Sequence, residues 1–566
     1  MFIYLHMTCE ISRETMQLPI QKKIPEKLYI YDSKTKKFTC SENFFDIESL
    51  LKKYFNTTTF IVSSLNSFFH QIRKKVSQDF AGQFLDQKFL DISHLAYSLD
   101  IEISKPAKDK VARKIAKITK TDKKLAQKDL KSYLKLFELQ FAHQNLNLKI
   151  HSKLVSLEIS HLKFLHRMEL TGLPYSENYS EKLLASWYEM KFELEKNCEK
   201  YIKNTASKLN FTFPINLDDV PTAQHVIYLS GFKSGNESPK PKRRRSVKPC
   251  KFCNGVCSIE AVPTNAEFLE KLIESERTNP LQTFIFKKLI AYRQLKRRID
   301  DLEMLKSYNE NGRITYFCSF TETGRIQMEQ PSLLTISNET IVNSQSIRPR
   351  DCIRAGEGKT ILSMDFKQIE QRVIAFLSQD KKLIDILNSG EDFFTHTARE
   401  IFGVGSDQNR KKVKALTYGL NYGMGTKTLS EKLNITEPEA ENIKEKYFQL
   451  FPQLQEYRLN LQAECEEKDV VISSILGRKR KINKGKFTQA ISTCIQSGAA
   501  DIVRVASLAI QQLMKTKEFS DVSCLLQIHD ELLFEMEEKI LKRFAKVVQK
   551  AVQISLKKYI FKSGIA

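Results

Sequence analysis

Residues 525–535 read LLQIHDELLFE, and two adjacent acids, Asp530 and Glu531, interrupt this otherwise apolar run. Short apolar runs are typical of buried strands. A buried carboxylate is costly unless a cation or hydrogen-bond donors compensate it. The stretch therefore predicts two rigid strand segments that flank a pair of acids, whose charge something outside the stretch must balance.

A second acid occupies a similar setting in residues 359–378, which read KTILSMDFKQIEQRVIAFLS. Residues 360–364 are apolar or small and predict a buried strand, with Asp365 at its end. The apolar residues that follow recur at helical spacing; they are Ile369, Val373, Phe376 and Leu377. Asp365 is therefore expected at a strand-to-helix junction, where ligands often bind in α/β proteins.

If these two strands are neighbours in one sheet, the carboxylates of Asp365 and Asp530 can meet. Two acids in one apolar site repel each other unless a cation joins them. Coordination by oxygen alone suits Mg²⁺, which takes few carboxylates together with substrate phosphates. The alternative is that the two acids end separate strands and face water.

Residues 410–425, RKKVKALTYGLNYGMG, place Arg410, Lys414, Tyr418 and Tyr422 at intervals of four. Four residues of an α-helix overshoot one turn by only about 40°, so these side chains share one face. The two cations lie at the positive end of the helix dipole, and the two rings follow. This order suits a triphosphate followed by a sugar and base.

The flanks of this segment favour a helix with a special role. Ser406 or Asp407 is a plausible N-terminal cap. Glycine costs about 1 kcal/mol in a helix, so Gly419 and Gly423 indicate close approach or bending. The alternative is an ordinary surface helix with basic residues.

Together these segments resemble the three polymerase motifs of the family A DNA polymerases, the group that includes bacterial DNA polymerase I. The motif segments are DFKQIEQR (365–372), RKKVKALTYGLNYG (410–423) and HDE (529–531). Three further segments occupy the places expected in that family: TETGRI (321–326), LGRKR (476–480) and IQSGAADI (495–502). Order and spacing agree over about residues 158–561.

The resemblance implies an α/β (α+β) fold: a right-hand polymerase with thumb, palm and fingers, preceded by a degenerate exonuclease-like α/β domain. The expected divisions are 1–152 for the exonuclease-like domain, 153–310 for the thumb with a basic, Cys-containing insert at 230–262, 311–385 for the first part of the palm, 386–495 for the fingers and 496–566 for the second part of the palm.

The implied chemistry is phosphoryl transfer with two Mg²⁺ ions, for which Mn²⁺ is a substitute. Asp365 and Asp530 would be metal ligands, helped by the backbone carbonyl of Phe366, and Glu531 would support them. Lys414 would also be a catalytic proton donor to pyrophosphate. Primer–template DNA and dNTPs are the implied partners of a monomeric enzyme that acts in repair or translesion synthesis. The rival hypothesis is a catalytically inactive scaffold that binds primer–template DNA.

The resemblance also assigns two groups of contacts. The nucleotide would be bound by Arg410, Lys414, Tyr418, Tyr422, Glu370 and Gln368. Primer–template DNA would be contacted by Arg325, Gln496 and His529. Glu370 would be the steric gate against ribose, and Tyr418 would pack against the incoming sugar and base.

Some segments depart from the bacterial pattern. Phe394 stands where the bacterial enzymes usually have His, and the chain resembles the eukaryotic polymerases theta and nu in such details.

The N-terminal part predicts a strand at residues 59–65 and another near residue 88. The stretch YIYDSKT (29–35), where a D-x-E is expected, offers only Asp32. A two-metal nuclease needs several carboxylates, so we expect no proofreading, and the domain looks truncated.

Composition agrees with a nucleic-acid partner. Lys and Arg total 90 against 67 acids, a net charge of +23, which points to a polyanion; a solvated basic surface is the alternative. The sequence predicts no membrane span and no secretory signal.

One segment bears on location and on metal binding. PKPKRRR (239–245) indicates nuclear import, with an organelle as the alternative location, but it fits a phosphate-binding arm or a solubilising loop as well. Cys250, Cys253 and Cys257 lack an evident fourth ligand, which favours no zinc.

Overall fold

The structure is a computed structural model that describes part of the chain. The described residues are 2–9, 25–32, 37–41, 51–52, 55, 59–62, 68–69, 73, 76–91, 148–205, 216–230, 263–274 and 278–557. The chain forms two compact units. The first comprises Met1–Gly172, Tyr316–Gln330 and Ala355–Ala566, and the second comprises Leu173–Thr315 and Pro331–Arg354.

A five-stranded sheet opens the first unit. Its elements are β1 (Phe2–Cys9), β2 (Pro25–Asp32), β3 (Lys37–Ser41), β4 (Thr59–Val62), helix α1 (Gln78–Leu85) and β5 (Lys88–Asp91). The strand order is β3-β2-β1-β4-β5. β1, β4 and β5 run parallel, whereas β2 is antiparallel to both of its neighbours, β1 and β3. Both strands expected here are present, and the sheet fits the predicted α/β class.

The next part of the chain is helical. Its elements are α2 (Leu148–Thr171), β6 (Leu173–Pro174), α3 (Glu177–Thr205), α4 (Val220–Leu229), α5 (Ala266–Glu274), α6 (Pro280–Ser307), β7 (Asn309–Glu310) and β8 (Arg313–Ile314). An Asn279–Gln282 capping box starts α6. The Tyr292 hydroxyl on α6 donates to Glu195 of α3 and to Asp218. α2 clusters with the first unit; the expected start of a thumb at residue 153 stays a prediction.

Short strands lead to β13 (Lys359–Asp365), a seven-residue strand of the central sheet. They are β9 (Phe317–Phe320), β10 (Ile326–Glu329), β11 (Thr340–Val342) and β12 (Gln345–Ile347). β9–β10 and β11–β12 are antiparallel hairpins. β11 and β12 belong to the second unit, although the sequence assigns residues 311–385 to one palm segment.

The remainder is mostly helical and ends in a hairpin and a helix. Its elements are α7 (Ile369–Ser378), α8 (Lys381–Asn388), α9 (Phe393–Phe402), α10 (Asp407–Asn421), α11 (Thr426–Leu433), α12 (Glu437–Leu450), α13 (Pro452–Glu467), β14 (Val470–Ser473), β15 (Lys479–Ile482), α14 (Phe487–Met514), β16 (Ser523–Ile528), β17 (Glu531–Glu537) and α15 (Leu541–Leu556).

These helices share one core. Aromatic rings join several of them: Phe393 of α9 lies 5.9 Å from Phe451, which lies 5.1 Å from Tyr447 of α12. Val413 and Leu416 of α10 are fully buried in the same core. This packing fixes the inward face of α10, so Arg410 and Lys414 lie on its opposite face.

The central sheet is antiparallel with order β13-β17-β16. Leu532, Phe534 and Met536 alternate along β17 and are buried, because successive strand residues point to opposite faces. Phe544 of α15 packs edge-on against Phe534 at 5.5 Å and covers one face. The predicted apolar strands around Asp530 and Glu531 are thus confirmed. No helix in the described part of the chain is long and apolar enough to cross a membrane.

Candidate active site

Three acids meet at one end of the central sheet. Asp365, the last residue of β13, lies directly opposite Glu531, the first residue of β17. His529 and Asp530 form the two-residue connection between β16 and β17, and the Phe366 backbone N–H donates to the Asp530 carbonyl at 3.2 Å. Asp530 therefore sits in the turn, and Glu531 is the direct cross-strand neighbour of Asp365.

In the described part of the chain, no ion pair joins the carboxylates of Asp365, Asp530 and Glu531 to a base. Burial and the neighbouring Glu531 raise the pKa of Asp365. Burial raises the pKa of Asp530 to about 6, with Glu370 and Asp365 adding to the effect and Arg325 opposing it. Within the described residues, no side chain donates a hydrogen bond to the Asp530 carboxylate. A bound cation would relieve this excess negative charge.

The donor set fits a hard divalent cation that is completed by a substrate. Among the described residues, no three His, Cys, Asp or Glu side chains converge into a self-sufficient metal site. Mg²⁺ does not require one, because it keeps waters and binds through one or two carboxylates plus phosphates. Asp365 and Asp530, with raised pKa values and only oxygen donors, match that chemistry.

The second part of the site is α10. The Ser406 hydroxyl accepts the Asn409 backbone N–H and caps the helix, which settles the choice between Ser406 and Asp407. Arg410, Lys414 and Tyr418 follow on the outward face, as the spacing predicts. Tyr422 is the C-terminal cap with φ −100° and lies just beyond the helix rather than within it.

Two glycines shape the end of α10. A Cβ on Gly419 would lie 2.8 Å from the Met424 sulfur. Gly423 has φ +75°, and a Cβ there would lie 2.5 Å from a methyl group of Thr488 on α14. The close approach expected from the sequence is present at both positions, and it fixes where Tyr422 lies.

The two cations of α10 differ in their surroundings. Arg410 pairs side-on with Asp392, with Nε at 2.9 Å and Nη2 at 3.2 Å from the carboxylate oxygens. Lys414 is exposed, and no hydrogen bond or ion pair holds it in the part of the chain that the structure describes. Lys414 is thus available to an incoming anion.

A chain of polar contacts links α10 to the sheet end. Tyr422 donates to Glu370 at 2.8 Å, and Arg325 pairs with the same carboxylate oxygen at 2.5 Å. Thr323 donates to Gln496 at 3.3 Å. Burial is the main cause of the raised pKa of Tyr418, and the nearby charges of Glu370 and Asp530 raise this pKa further. The structure therefore brings Arg325, Glu370 and Tyr418 close to Asp530, and it joins Tyr422 to them through Glu370.

The site also contains Asp392, which the sequence analysis did not single out. It binds both Arg410 and Gln368, two residues that the resemblance assigns to the nucleotide. Asp392 stands between β13 and α10 in the sequence, two residues before Phe394. Its N-capping pattern, an acid before a helix, was a visible signal, but its pairing with Arg410 was not.

A buried charge network in the same unit was also not foreseen. Arg478 Nη2 lies 2.8 Å from Glu158 and 2.8 Å from Asp501. Arg504 Nη1 lies 3.0 Å from Asp501 and 3.4 Å from Glu158, and its Nε donates to His161 at 3.3 Å. Two arginines thus balance two acids inside the fold.

Several predictions fall outside the described residues. These are the basic insert beyond Ser230, the cysteines Cys250, Cys253 and Cys257, and the continuation of the exonuclease-like segment after Asp91. Asp32 ends β2, and its side chain lies outside what the structure describes. These predictions therefore stay predictions.

The chain has recognisable relatives. It is 33% identical over 293 residues to DNA polymerase I of Mycobacterium tuberculosis, covering 48% of this chain and 31% of that protein. It is 26% identical over 400 residues to DNA polymerase I of Lactococcus lactis, covering 68% of this chain and 41% of that protein. The chain therefore spans less than half the length of these relatives.

A solved structure has a similar fold. It is the polymerase domain of Pol1 from M. smegmatis, in complex with DNA primer-template and dNTP. The TM-score is 0.72 at 21% identity, covering 100% of this chain and 94% of the other. The predicted mixed α/β polymerase fold is thereby confirmed.

The family model for DNA polymerase family A matches residues 253–560, which is more than half of the chain. The matched range includes the three acids at the sheet end and the cationic face of α10. From the fold, the site and this match, the chain belongs to DNA polymerase family A.

Proposed function

We propose that this protein is a DNA-directed DNA polymerase that adds dNTPs to a primer 3′-hydroxyl by phosphoryl transfer. One observation carries the proposal: unbalanced carboxylates at the sheet end lie beside the face of α10 that presents Arg410 and Lys414. Tyr418, on that face, is close enough to Asp365 and Asp530 for their charges to raise its pKa further. The acids that would bind metal, the cations that would bind phosphate and the ring that would contact the base therefore belong to one site.

Each side chain has a role that its position supports. Asp365 and Asp530 would hold divalent metal, and Glu531 adjoins them. A bound Mg²⁺ would supply charge stabilisation and a more acidic primer hydroxyl. Lys414 and Arg410 would neutralise the triphosphate, and the exposed Lys414 ammonium is the group free to give a proton to the pyrophosphate.

The remaining contacts would select and position the substrates. Glu370 is held by both Arg325 and Tyr422, so its carboxylate is fixed beside the sheet end, where a ribose 2′-hydroxyl would meet it. Gln368 would be a neighbouring nucleotide contact. Gln496 and His529 would join Arg325 at the primer terminus. The related M. smegmatis domain, solved with DNA primer-template and dNTP, supports this assignment of partners.

The finer biological role is a separate proposal. We infer a monomeric, nuclear enzyme of repair or translesion synthesis, similar to polymerases nu and theta and without proofreading. The basic segment at 239–245 supports the location, and the single acid in the stretch YIYDSKT supports the lack of proofreading. The relatives reported above are bacterial, so polymerase I-like gap repair in another compartment is the alternative. Extension past a damaged template base, compared with undamaged DNA, tests the translesion role.

Primer extension by the purified chain tests the proposed activity. We expect template-directed extension with Mg²⁺ and four dNTPs, none with EDTA, and recovery with Mn²⁺. As the control for templating, each dNTP is supplied alone, and only the one complementary to the first template base should be added. Tight binding to primed DNA without any extension would contradict the enzyme and support the inactive scaffold instead.

A mismatched primer tests the proofreading proposal. We expect the protein to leave the mismatched 3′ end intact when dNTPs are absent. Removal of that nucleotide in a manner that depends on Asp32 or Asp91 would overturn the proposal, since it would require a working nuclease centre in the N-terminal part.

A further inference from the structure

Asp392 is anchored independently of any ligand. It is the N-terminal cap of α9, where its Oδ1 accepts the Thr395 backbone N–H at 2.9 Å and the Thr395 hydroxyl at 2.8 Å. Such caps stabilise a helix by roughly 0.5–2 kcal/mol. The carboxylate is therefore held in one orientation by the backbone of α9.

Arg410 uses one edge of its guanidinium to bind this anchor. The Nε and Nη2 groups donate to the two oxygens of Asp392. Within the described residues, Nη1 donates no hydrogen bond, and Asp392 accepts every hydrogen bond that Arg410 donates. A guanidinium has five N–H donors in a fixed plane, so those of Nη1 remain available on the side away from Asp392.

The same carboxylate reaches the segment that carries Asp365. Gln368 Nε2 donates to Asp392 Oδ2 at 3.2 Å. Gln368 is the N-terminal flank of α7 and has a left-handed backbone with φ 54°. This conformation is uncommon for a residue other than glycine, and the side-chain contact with Asp392 helps to keep it in place.

The ring of Phe394 contacts Arg410 but does not set the orientation of its guanidinium, which is bound by Asp392. The Arg410 guanidinium carbon lies 5.7 Å from the centre of the Phe394 ring. The centre of the Tyr418 ring lies 6.0 Å from the centre of the same Phe394 ring. A phenyl ring attracts a cation but accepts no directed hydrogen bond from it. Phe394 therefore packs against Arg410 without fixing the rotation of the guanidinium plane.

We propose that Asp392 is a positioning residue that aims Arg410 at the nucleotide triphosphate and ties it to Gln368. This inference rests on the proposed polymerase function and deepens it. The side-on pair fixes the guanidinium plane, so the Nη1 donors point where an anion would arrive. Charge-assisted, two-point pairs of this kind add geometric specificity as well as energy.

Two other roles for Asp392 make different predictions. If Asp392 is only a helix cap, asparagine will replace it with little loss, because asparagine caps equally well. If Asp392 only counteracts the charge of Arg410, its neutralisation will strengthen triphosphate binding, because the site becomes more positive. Positioning predicts the reverse: weaker use of the nucleotide despite the gain in positive charge.

The test is steady-state primer extension by Asp392→Asn at varied dNTP concentration. We expect KM for dNTP to rise about tenfold, the size expected for loss of a charge-assisted hydrogen bond, with a smaller change in kcat. In an Arg410→Ala background the same substitution should have little further effect, since Asp392 acts through Arg410. Equal effects of Asp392→Asn in both backgrounds would overturn the proposal.

Glu391→Gln is the matched control. It removes one negative charge from the adjacent residue, and Glu391 pairs with His396 and Arg399 rather than with Arg410. We expect its KM to stay within about twofold of wild type. An unchanged or lowered KM for Asp392→Asn, in a wild-type enzyme that extends primers normally, would refute positioning while leaving the polymerase assignment intact.

Discussion

The first compact unit holds two groups of buried or half-buried acids that differ in what balances them. Glu158 and Asp501 are each 1% exposed and are shared between Arg478 and Arg504. Asp365 and Asp530 lie at the sheet end, where burial and neighbouring acids raise their pKa values.

The difference separates structure from chemistry. Acids that are balanced inside the fold fix elements to one another, here α2, α14 and the loop of residues 474–478. Acids that are left with raised pKa values lower the stability of the ligand-free protein and gain from a cation that arrives with the substrate. Strongly perturbed carboxylates in a site are therefore functional candidates, whereas Glu158 and Asp501, which two buried arginines balance, are structural.

Neutralising either site acid should have the largest effect. We expect Asp365→Asn and Asp530→Asn each to reduce primer extension by about 10³-fold or more, because each removes a proposed metal ligand. Gel-shift titration should show that binding to primed DNA is retained, since Arg325 and the other basic contacts remain.

Asp521→Asn provides the control for this loss, because Asp521 is exposed and lies just before β16. Its extension rate should match wild type. Extension by Asp530→Asn at a rate near that of wild type would show that the metal ligands are misassigned.

Breaking the buried network should instead reduce stability. Asp501→Asn leaves Arg478 and Arg504 short of one buried partner. Removal of one member of a buried ion pair typically costs about 3–5 kcal/mol, which urea unfolding would detect. Below the unfolding transition, activity per folded molecule should stay close to wild type. A well-folded but inactive Asp501→Asn protein would break the distinction between the two groups.

The same network predicts a pH dependence through His161. Burial, aided by Arg504, lowers the pKa of His161 from 6.5 to about 3. Between these values the unfolded chain binds a proton that the folded chain does not, so stability falls as pH falls. The slope is about 1.4 kcal/mol per pH unit for one proton.

His161→Gln should remove this contribution, because glutamine can accept from Arg504 but does not titrate. Urea unfolding between about pH 7 and about pH 5 should therefore give a shallower loss of stability for the variant than for wild type. Parallel curves would indicate that His161 is protonated in the folded protein.

Much of the site was predictable because its signals are local. The apolar run that ends at Asp365, the helical spacing after it and the four-residue spacing from Arg410 each follow from a single periodicity. The strands around Asp530 and Glu531 were predicted in the same way. The register was not, because a pattern of apolar residues does not say whether Asp530 or Glu531 faces Asp365.

The remaining contacts could not be read from the sequence because they join distant segments. Glu158 meets Arg478 across 320 positions, and Arg504 meets His161 across 343. Asp392 and Arg410 are 18 positions apart, on different helices. Which arginine takes which acid depends on how α9, α10 and α14 pack, and charge patterning along the chain does not encode that choice.

The unfolding free energy of Asp530→Asn in buffer without divalent metal tests the central distinction most directly. Asp530 has a pKa of about 6 instead of 3.8, so at neutral pH its charge destabilises the fold. We predict that Asp530→Asn raises the unfolding free energy by roughly 1–3 kcal/mol, while Asp501→Asn lowers it. A decrease for Asp530→Asn comparable to that for Asp501→Asn would contradict the account, because Asp530 would then be balanced within the fold.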